Sequence, residues 1–257
     1  MEVLTIVLST VLGLLSPVGL ITEQIATQTI RNQLKSVEQL HIRIDNIPSH
    51  QLIQGKLDRV RLAGRGLEPM TGLRIDTLEI ETDAVNLNRQ RLQKGKVCWQ
   101  EPLRAGVRLV LQVGDMQTAL RSPSVVRQLQ KLLKNMGGEQ LQDYNLQDPE
   151  IELLDHQRLR FKANLQGQGA TDRLAVQVES GIKLVAGRRF ELLAPVIVLN
   201  QTPLPAPLAN ALLRRLADRL DLQTLEESGL LVRILQWQMN RDRIELAAFV
   251  QVQRTSP

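Results

Sequence analysis

Aromatic side chains are scarce in this chain of 257 residues: they make up 2% of the sequence, whereas hydrophobic residues as a whole make up 43%. Proteins that bind single-stranded nucleic acid stack its bases on aromatic side chains, so this scarcity argues against a nucleic-acid partner. The interior must be almost wholly aliphatic. That composition fits an ordinary core, and it also fits a surface that accommodates alkyl chains. The aromatic residues are Trp99, Tyr144, Phe161, Phe190, Trp237 and Phe249.

Cysteine and histidine are nearly absent. Cys98 stands alone, which excludes an intrachain disulfide and any metal motif built on cysteine pairs. The histidines, His41, His50 and His156, have no second histidine or cysteine at ligand spacing. The sequence therefore predicts no metal site and no cofactor.

Catalytic motifs are missing too. Ser180 lies in Val-Glu-Ser-Gly, which lacks the glycine that a nucleophile elbow places two residues before its serine. The segment 167–172, Gly-Gln-Gly-Ala-Thr-Asp, lacks the last glycine of a dinucleotide-binding loop and precedes a strand pattern, so we interpret it as a hairpin turn. The carboxylate pairs lie on the polar sides of alternating segments, where a solvated face is expected. These pairs are Glu79 with Glu81 and Glu150 with Glu152. We therefore expect no catalytic residue and a protein that is not an enzyme.

Charge of one sign does not dominate. Lys and Arg number 32 against 27 Asp and Glu, a net charge of +5, and the two signs are interspersed. The basic clusters are small: Arg188 with Arg189, and Arg214 with Arg215. These arginines fit a solvated face, and they also fit contact with the head groups of an anionic lipid surface.

One long uncharged stretch opens the chain. Val3 to Thr22 carry no charged residue, which is long enough for a membrane-spanning helix. Pro17 would kink such a helix. Glu2 in place of a basic start, and the absence of an Ala-x-Ala pattern, weaken the interpretation as a secretion signal. We expect residues 1–22 to form an apolar helix that is integral to the domain or lies in the membrane interface. A membrane anchor and a removed signal remain as alternatives.

After this stretch the hydrophobic period becomes that of strands. Residues 40–45 alternate, and the phase slips between Leu57 and Val60 and again between Ile75 and Leu78, which we interpret as β-bulges in a bent sheet. A clear strand covers 103–113. A helical region follows, in which we expect Asp115 to cap a first piece and Ser122 with Pro123 to begin a longer one.

The second half repeats strands followed by a helix. Residues 159–165 and 174–184 alternate, whereas 190–199 are apolar on both faces and are expected to be buried on both sides. A leucine-rich helix is predicted after Pro207. Residues 231–239 and 243–252 read as a hairpin. We expect residues 23–253 to form a single domain, which the resemblance described next implies is lipid-binding-like, and 254–257 a disordered tail.

Several segments together resemble a known family. They are the run Ala26–Leu62, with its strand His41–Asp45 and its Gln54–Val60 segment; Gly64-Arg65-Gly66-Leu67; the strand Arg74–Thr82; and the passage Val107–Leu120. This pattern resembles the LmeA-like phospholipid-binding family, in the branch found in photosynthetic bacteria, over nearly the whole chain. The resemblance implies an α+β fold in which a strongly curved antiparallel β-sheet wraps around long amphipathic helices, in a tubular lipid-binding-like form. It also implies an elongated apolar groove for acyl chains, and it carries no catalytic residues.

We therefore expect a non-catalytic phospholipid-binding protein that docks on anionic membrane surfaces of the cell envelope or of an internal membrane, in lipid transfer or envelope maintenance. Its expected partners are an anionic phospholipid and the membrane surface, without nucleic acid. Arg188, Arg189, Arg214 and Arg215 are the candidates for head groups or the membrane surface. The alternative is a membrane-associated scaffold with a closed core and no bound lipid. The candidate groove residues are Leu103, Val107, Leu109, Leu111, Leu208, Leu212 and Leu216.

Overall fold

The computed structural model describes residues 23–45, 56–87, 100–137, 143–167, 173–205, 207, 209, 213 and 221–253. The helices are α1 (Glu23–Gln33), α2 (Val113–Arg121), α3 (Pro123–Gly137) and a 3-10 helix (Leu222–Ser228). The strands are β1 (Ser36–Asp45), β2 (Lys56–Leu57), β3 (Arg59–Met70), β4 (Leu73–Thr82), β5 (Val85–Asn86), β6 (Leu103–Gln112), β7 (Tyr144–Leu154), β8 (Arg158–Gly167), β9 (Arg173–Val185), β10 (Arg189–Leu199), β11 (Thr202–Pro203), β12 (Leu230–Met239) and β13 (Arg243–Val252). The predictions for 1–22 and 254–257 lie outside the described residues.

The described residues fall into two compact units. One holds α1, β1 to β5, nearly all of β6, the 3-10 helix and most of β12 and β13. The other holds α2, α3, β7 to β11 and the turn between β12 and β13. The prediction that residues 23–253 form a single domain stays a prediction.

A six-stranded sheet is the centre of the first unit. Its strand order is β1-β3-β4-β6-β13-β12, and β2 and β5 form a separate two-stranded sheet. One face is densely buried: Leu67, Ile75 and Leu78 have no exposed side-chain area. Alternation places arginine and glutamate on the opposite face, as in Arg108, which contacts Glu79 and Glu245 at 3.2 and 2.7 Å. The aliphatic composition thus supplies a tightly closed core here.

The buried positions change phase at both predicted slips, but neither slip is the predicted β-bulge. At the first, Asp58 is a bend, and the chain changes sheets: Leu57 pairs with Val85 in the small sheet, whereas Val60 pairs with Ile44 in the large one. The change of sheet explains the slip without a bulge. At the second, the β3–β4 register is unbroken from Leu67 opposite Ile75 to Gly64 opposite Leu78, so the predicted bulge is wrong there. The register shifts instead between Leu67 and Met70. The irregularity at the slip is the positive φ of 58° at Gly66 in β3. Glycine suits this position because it adopts positive φ without steric cost.

A five-stranded sheet in the order β11-β10-β9-β8-β7 is the centre of the second unit. Helices α2 and α3 pack along its edge strand β7, and two glutamines supply the hydrogen bonds that an edge strand lacks. Gln117 donates to the carbonyl of Pro149 and accepts from the amide of Ile151, at 3.0 and 2.9 Å. Gln130 donates to the carbonyl of Tyr144 and accepts from the amide of Leu146.

Gln117 offers a direct test of this edge arrangement. We expect Gln117→Ala to lower the free energy of unfolding by about 1–2 kcal/mol, because two half-buried backbone groups lose their partners. Gln117→Glu should also be destabilised, because its carboxylate still accepts from Ile151 but cannot donate to the Pro149 carbonyl. Urea denaturation measures both. Equal stability of Gln117→Ala and the wild type would contradict the role of this side chain.

The helix-cap predictions had different outcomes. Helix α3 begins at Pro123, and the amide of Val125 donates to the Ser122 hydroxyl at 3.4 Å, as predicted. The prediction that Asp115 caps the first helix is wrong, because α2 begins at Val113 and Asp115 lies within its first turn. The cap position is held by Gln112, whose side chain makes no capping hydrogen bond, so the sequence offered no capping residue there.

The predicted α+β class is therefore confirmed in its coarse form: antiparallel sheets dominate, with a few helices beside them. The longest α-helix among the described residues is α3, with 15 residues. Strong curvature, long amphipathic helices and the tubular form stay predictions. Within the part of the chain described, no helix is both long and apolar enough to cross a bilayer.

Candidate functional site

The apolar side of the five-stranded sheet follows directly from strand periodicity. Successive side chains of a strand point to opposite faces, so residues 159, 161, 163 and 165 of β8 share one face. In β9 the matching face holds 174, 176 and 178. Antiparallel register places Phe161 opposite Val178, Ala163 opposite Val176, and Ile197 of β10 opposite Val178. A continuous apolar face thus runs across three strands.

Helix α3 covers one side of this face. Leu146, Ala163 and Leu165 are buried there, and Leu129 and Leu133 of α3 pack against them. The apolar side chains of α3 recur at helical spacing, so one side of the helix can lie on the sheet while its lysines remain outside.

A second cluster covers the other side. Ile197 is buried together with Ala209 and Leu213, both of which are helical. Partly buried side chains pack around this cluster; they are Val178, Leu192, Leu199 and Leu204. The prediction of a helix after Pro207 agrees with the helical state of these described positions.

Between the two clusters lies a strip that neither cluster buries completely. We call Phe161, Val176 and Val178 the central apolar strip. Phe161 and Val176 pack against the first cluster and Val178 against the second, and all three side chains stay half-buried. The six-stranded sheet differs, because its inner residues are closed off from solvent. The strip therefore retains apolar surface that contact with a hydrocarbon would bury.

The opposite face of the same sheet is polar and held by ion pairs. Glu179 of β9 accepts from Arg160 at 2.9 Å and from Arg158 at 3.0 Å, and Arg160 also contacts Glu152. The hydrogen bond from Arg160, then that from Arg158, and the attraction of both charges hold the pKa of Glu179 below its usual value. The same contacts raise the pKa of Arg160.

This network predicts an acid sensitivity. Because the folded-state pKa of Glu179 is lowered, its contribution to stability is present above the unfolded pKa, about 4.3, and is lost as pH falls through the folded pKa. We expect Glu179→Gln to cost about 1 kcal/mol near neutral pH and progressively less below pH ~4. Urea denaturation across this pH range measures the difference. A difference independent of pH would contradict the assignment.

A recess of about 320 Å³ also lies on the polar side of the five-stranded sheet. Asp148, Glu150, Lys162, Asn164 and Gln177 contribute to its lining. Ala175 and Val198 also line it, but its charged and amide groups make it less suited to alkyl chains than the apolar face. The apolar face and the recess thus lie on opposite sides of one sheet.

The predicted groove residues are only partly accounted for. Leu103, Val107 and Leu109 are buried on β6 in the six-stranded sheet, and Leu111 is half-buried near the end of that strand. The predicted partners Leu208, Leu212 and Leu216 lie outside the described residues. The described residues therefore do not bring the predicted groove together, and its composition stays a prediction.

The predicted basic residues are likewise divided. Arg188 is half-buried in the turn between β9 and β10, where its amide donates to the Val185 carbonyl at 3.1 Å. Arg189 is exposed, and its guanidinium pairs with Glu191 at 2.6 Å. Arg214 and Arg215 lie outside the described residues. A head-group role for these four arginines stays a prediction.

The central apolar strip was not named from the sequence. Its signal was present in the alternation of residues 159–165 and 174–184, which the structure confirms as β8 and β9. Periodicity identifies an apolar face but gives no measure of how completely other elements cover it. That measure requires the packed structure.

The polar residues weighed as catalytic candidates have structural contacts. Ser180 is buried, and its hydroxyl lies 2.8 Å from the Gly181 carbonyl and 3.2 Å from that of Leu193. The carboxylates of Glu79, Glu81, Glu150 and Glu152 all contact arginine side chains. Within the described ranges of the chain, no group of three or more histidine, cysteine or acidic residues is placed to hold a metal ion.

Comparison with known proteins gives one result. A family model described as LmeA-like phospholipid-binding matches residues 14–249. No curated protein and no solved structure matches the chain.

Proposed function

Because this chain belongs to the LmeA-like phospholipid-binding family, we propose that the apolar face of its five-stranded sheet holds the acyl chains of a phospholipid. The observation that carries this proposal is the half-buried state of Phe161, Val176 and Val178 between two packed clusters. A bound alkyl chain lying along them would complete their burial.

Energetics favour a carrier that works at a membrane. A phospholipid with about thirty methylenes at ~0.8 kcal/mol each gains on the order of 20 kcal/mol by leaving water. Nearly all of that gain vanishes when the starting state is a bilayer, because the lipid is already in hydrocarbon. The protein therefore has to dock on the membrane and offer a comparably apolar surface. Lipid transfer and envelope maintenance are both activities of this kind.

An anionic membrane surface is the proposed docking partner. The chain carries a net charge of +5, and juxtamembrane cations are attracted to anionic lipids. Arg188 and Arg189 of the β9–β10 turn, with Arg214 and Arg215, are the proposed head-group contacts. The proposed location is accordingly the surface of the cell envelope or of an internal membrane.

A scaffold with a closed core is the competing function. The six-stranded sheet fits that description, because its inner leucines and isoleucines are fully packed. The five-stranded sheet favours lipid binding instead, since its central strip is only half covered.

The deciding experiment measures bound lipid directly. Protein purified without detergent is analysed by native mass spectrometry, and its extracted lipids are identified by lipidomics. We expect co-purifying phospholipid enriched in anionic species. If neither method finds phospholipid, and the protein does not bind a fluorescent phospholipid supplied in solution, the scaffold is the correct function.

A further inference from the structure

Strand β10 exposes apolar side chains on the polar side of the five-stranded sheet. Leu193 and Val196 are each 45% exposed; between them Ala194 is exposed and Pro195 is half-buried. The expectation that residues 190–199 are buried on both sides is therefore wrong. The physical reason is position: among the described residues, β10 pairs on its outer side with the two-residue strand β11 at Val198 and Leu199 and forms an isolated bridge from Arg189 to Asp221, so no paired strand lies beside residues 193–196 there.

Residues 193–196 interrupt the regular pairing of β10 with β9. The register between β10 and β9 shifts between Leu193 and Val196, and Ala194 has a φ of 43°, a left-handed conformation that residues other than glycine rarely adopt. Such a conformation persists only where the surroundings impose it. We call residues 193–196 the β10 bulge.

Two residues of β9 hold the β10 bulge in place. The buried Ser180 hydroxyl lies 3.2 Å from the Leu193 carbonyl. Gly181 lies directly opposite Leu193, and a β-carbon there would come within 3.1 Å of the β-carbon of Leu193. The absence of a side chain at residue 181 thus lets the two strands approach at the bulge. Bulges commonly redirect side chains in this way.

The size and charge of this surface favour a lipid bilayer as its partner. A stable protein interface buries about 800 Å² on each partner, far more than two half-exposed aliphatic side chains offer. Cations lie along the strands leading to the nearby turn: Lys183 opposite Glu191, then Arg188 and Arg189. Glu191 offsets Arg189, and Glu179, which lies opposite Val196, is offset by Arg158 and Arg160, so Lys183 and Arg188 leave the local charge positive. Apolar side chains beside cations suit an anionic membrane surface.

We propose that the β10 bulge is the element that inserts Leu193 and Val196 into the surface of an anionic bilayer. This inference rests on the proposed function, for which it supplies the docking element. The bulge fixes the two side chains in an exposed position before any membrane is met, so little ordering is required on contact.

A double variant tests the insertion. Leu193→Ser with Val196→Ser is compared with Leu235→Ser, which removes an exposed leucine, 72% accessible, from β12 of the other compact unit. Binding is measured by sedimentation with phosphatidylcholine vesicles containing about 30% phosphatidylglycerol, an anionic surface. We expect the double variant to bind at least about tenfold more weakly than the wild type, because serine side chains gain no free energy by leaving water for the bilayer. Leu235→Ser should bind like the wild type.

A second measurement keeps docking separate from lipid holding. The double variant should take up a fluorescent phospholipid supplied in solution as well as the wild type does, because the β10 bulge and the apolar strip lie on opposite faces. Loss of vesicle binding with normal uptake supports the insertion. Absence of uptake by the wild type would overturn the acyl-chain site but not the docking element.

Two outcomes would overturn the insertion itself. One is vesicle binding that is unchanged in the double variant. The other is a Leu193→Trp variant whose fluorescence does not change when vesicles are added. If vesicle binding is unchanged and the oligomeric state changes, measured by size-exclusion chromatography with light scattering, the bulge is a contact between copies of the chain. Leu193→Trp provides a check that does not remove apolar surface. Its fluorescence should shift to the blue when the same vesicles are added.

Discussion

Val178→Lys is expected to reduce co-purifying phospholipid by at least about tenfold while the protein remains folded. Val178 lies in the middle of the central apolar strip, opposite Phe161 on one side and Ile197 on the other. An ammonium group beside an acyl chain loses its hydration without gaining a partner, which costs several kcal/mol. Because the side chain is half-buried, the lysine amine can still reach solvent when no lipid is bound. Lipid extraction followed by mass spectrometry measures the change.

The same strand offers a matched control. Ala175→Lys adds an identical charge on the opposite, polar face of β9, at an exposed position. This variant should retain the lipid content of the wild type. Circular dichroism and thermal denaturation verify that both variants are folded. Equal loss of lipid in both would show that added charge, rather than the apolar strip, determines lipid content.

Leu67→Ala is expected to produce the largest loss of stability, about 3 kcal/mol. The Leu67 side chain has no exposed area, its residue pairs with Val37 and Ile75 across neighbouring strands, and a β-carbon at Gly64 would lie 2.8 Å from its methyl carbon Cδ2. Truncation leaves a cavity in a packed interior that relaxes only in part. Urea denaturation gives the free energy of unfolding.

Leu235→Ala is the control for this second prediction, because the side chain is mostly exposed and its loss should cost less than about 0.5 kcal/mol. Folded Leu67→Ala protein should also keep its phospholipid, since the residue belongs to the six-stranded sheet. A loss of stability below about 1 kcal/mol would show that this core is looser than its burial indicates.

Much of the fold could be predicted because strand periodicity is strong in this chain. The alternation of residues 103–111, 159–165 and 174–184 identified β6, β8 and β9, and the hairpin of β12 and β13 followed from two alternating runs around Asn240. The start of α3 followed from local chemistry at Ser122 and Pro123. These features depend on neighbours close in sequence, so the sequence carries them directly.

The candidate site was harder to predict, for a physical reason. Leu103 and Val178 both lie in alternating runs, yet Leu103 is buried in a closed core whereas Val178 stays half-buried. The hydrophobic pattern indicates which side chains avoid water, but it does not indicate which other side chains bury them or how completely. The exposure of Leu193 and Val196 was missed for a similar reason, because the same apolar run could form a strand at the centre of a sheet or near its edge.

The sequence by itself determined an aliphatic, strand-rich protein without a catalytic motif and with the pattern of a phospholipid-binding family, because composition, period and local motifs are properties of adjacent residues. Only the tertiary structure decided that the six-stranded sheet is closed and the face of the five-stranded sheet is partly open. It also decided that β10 bulges outward, since packing and edge position arise from residues distant in the chain. Contacts such as that between Ser180 and Leu193 exist only once the strands are paired.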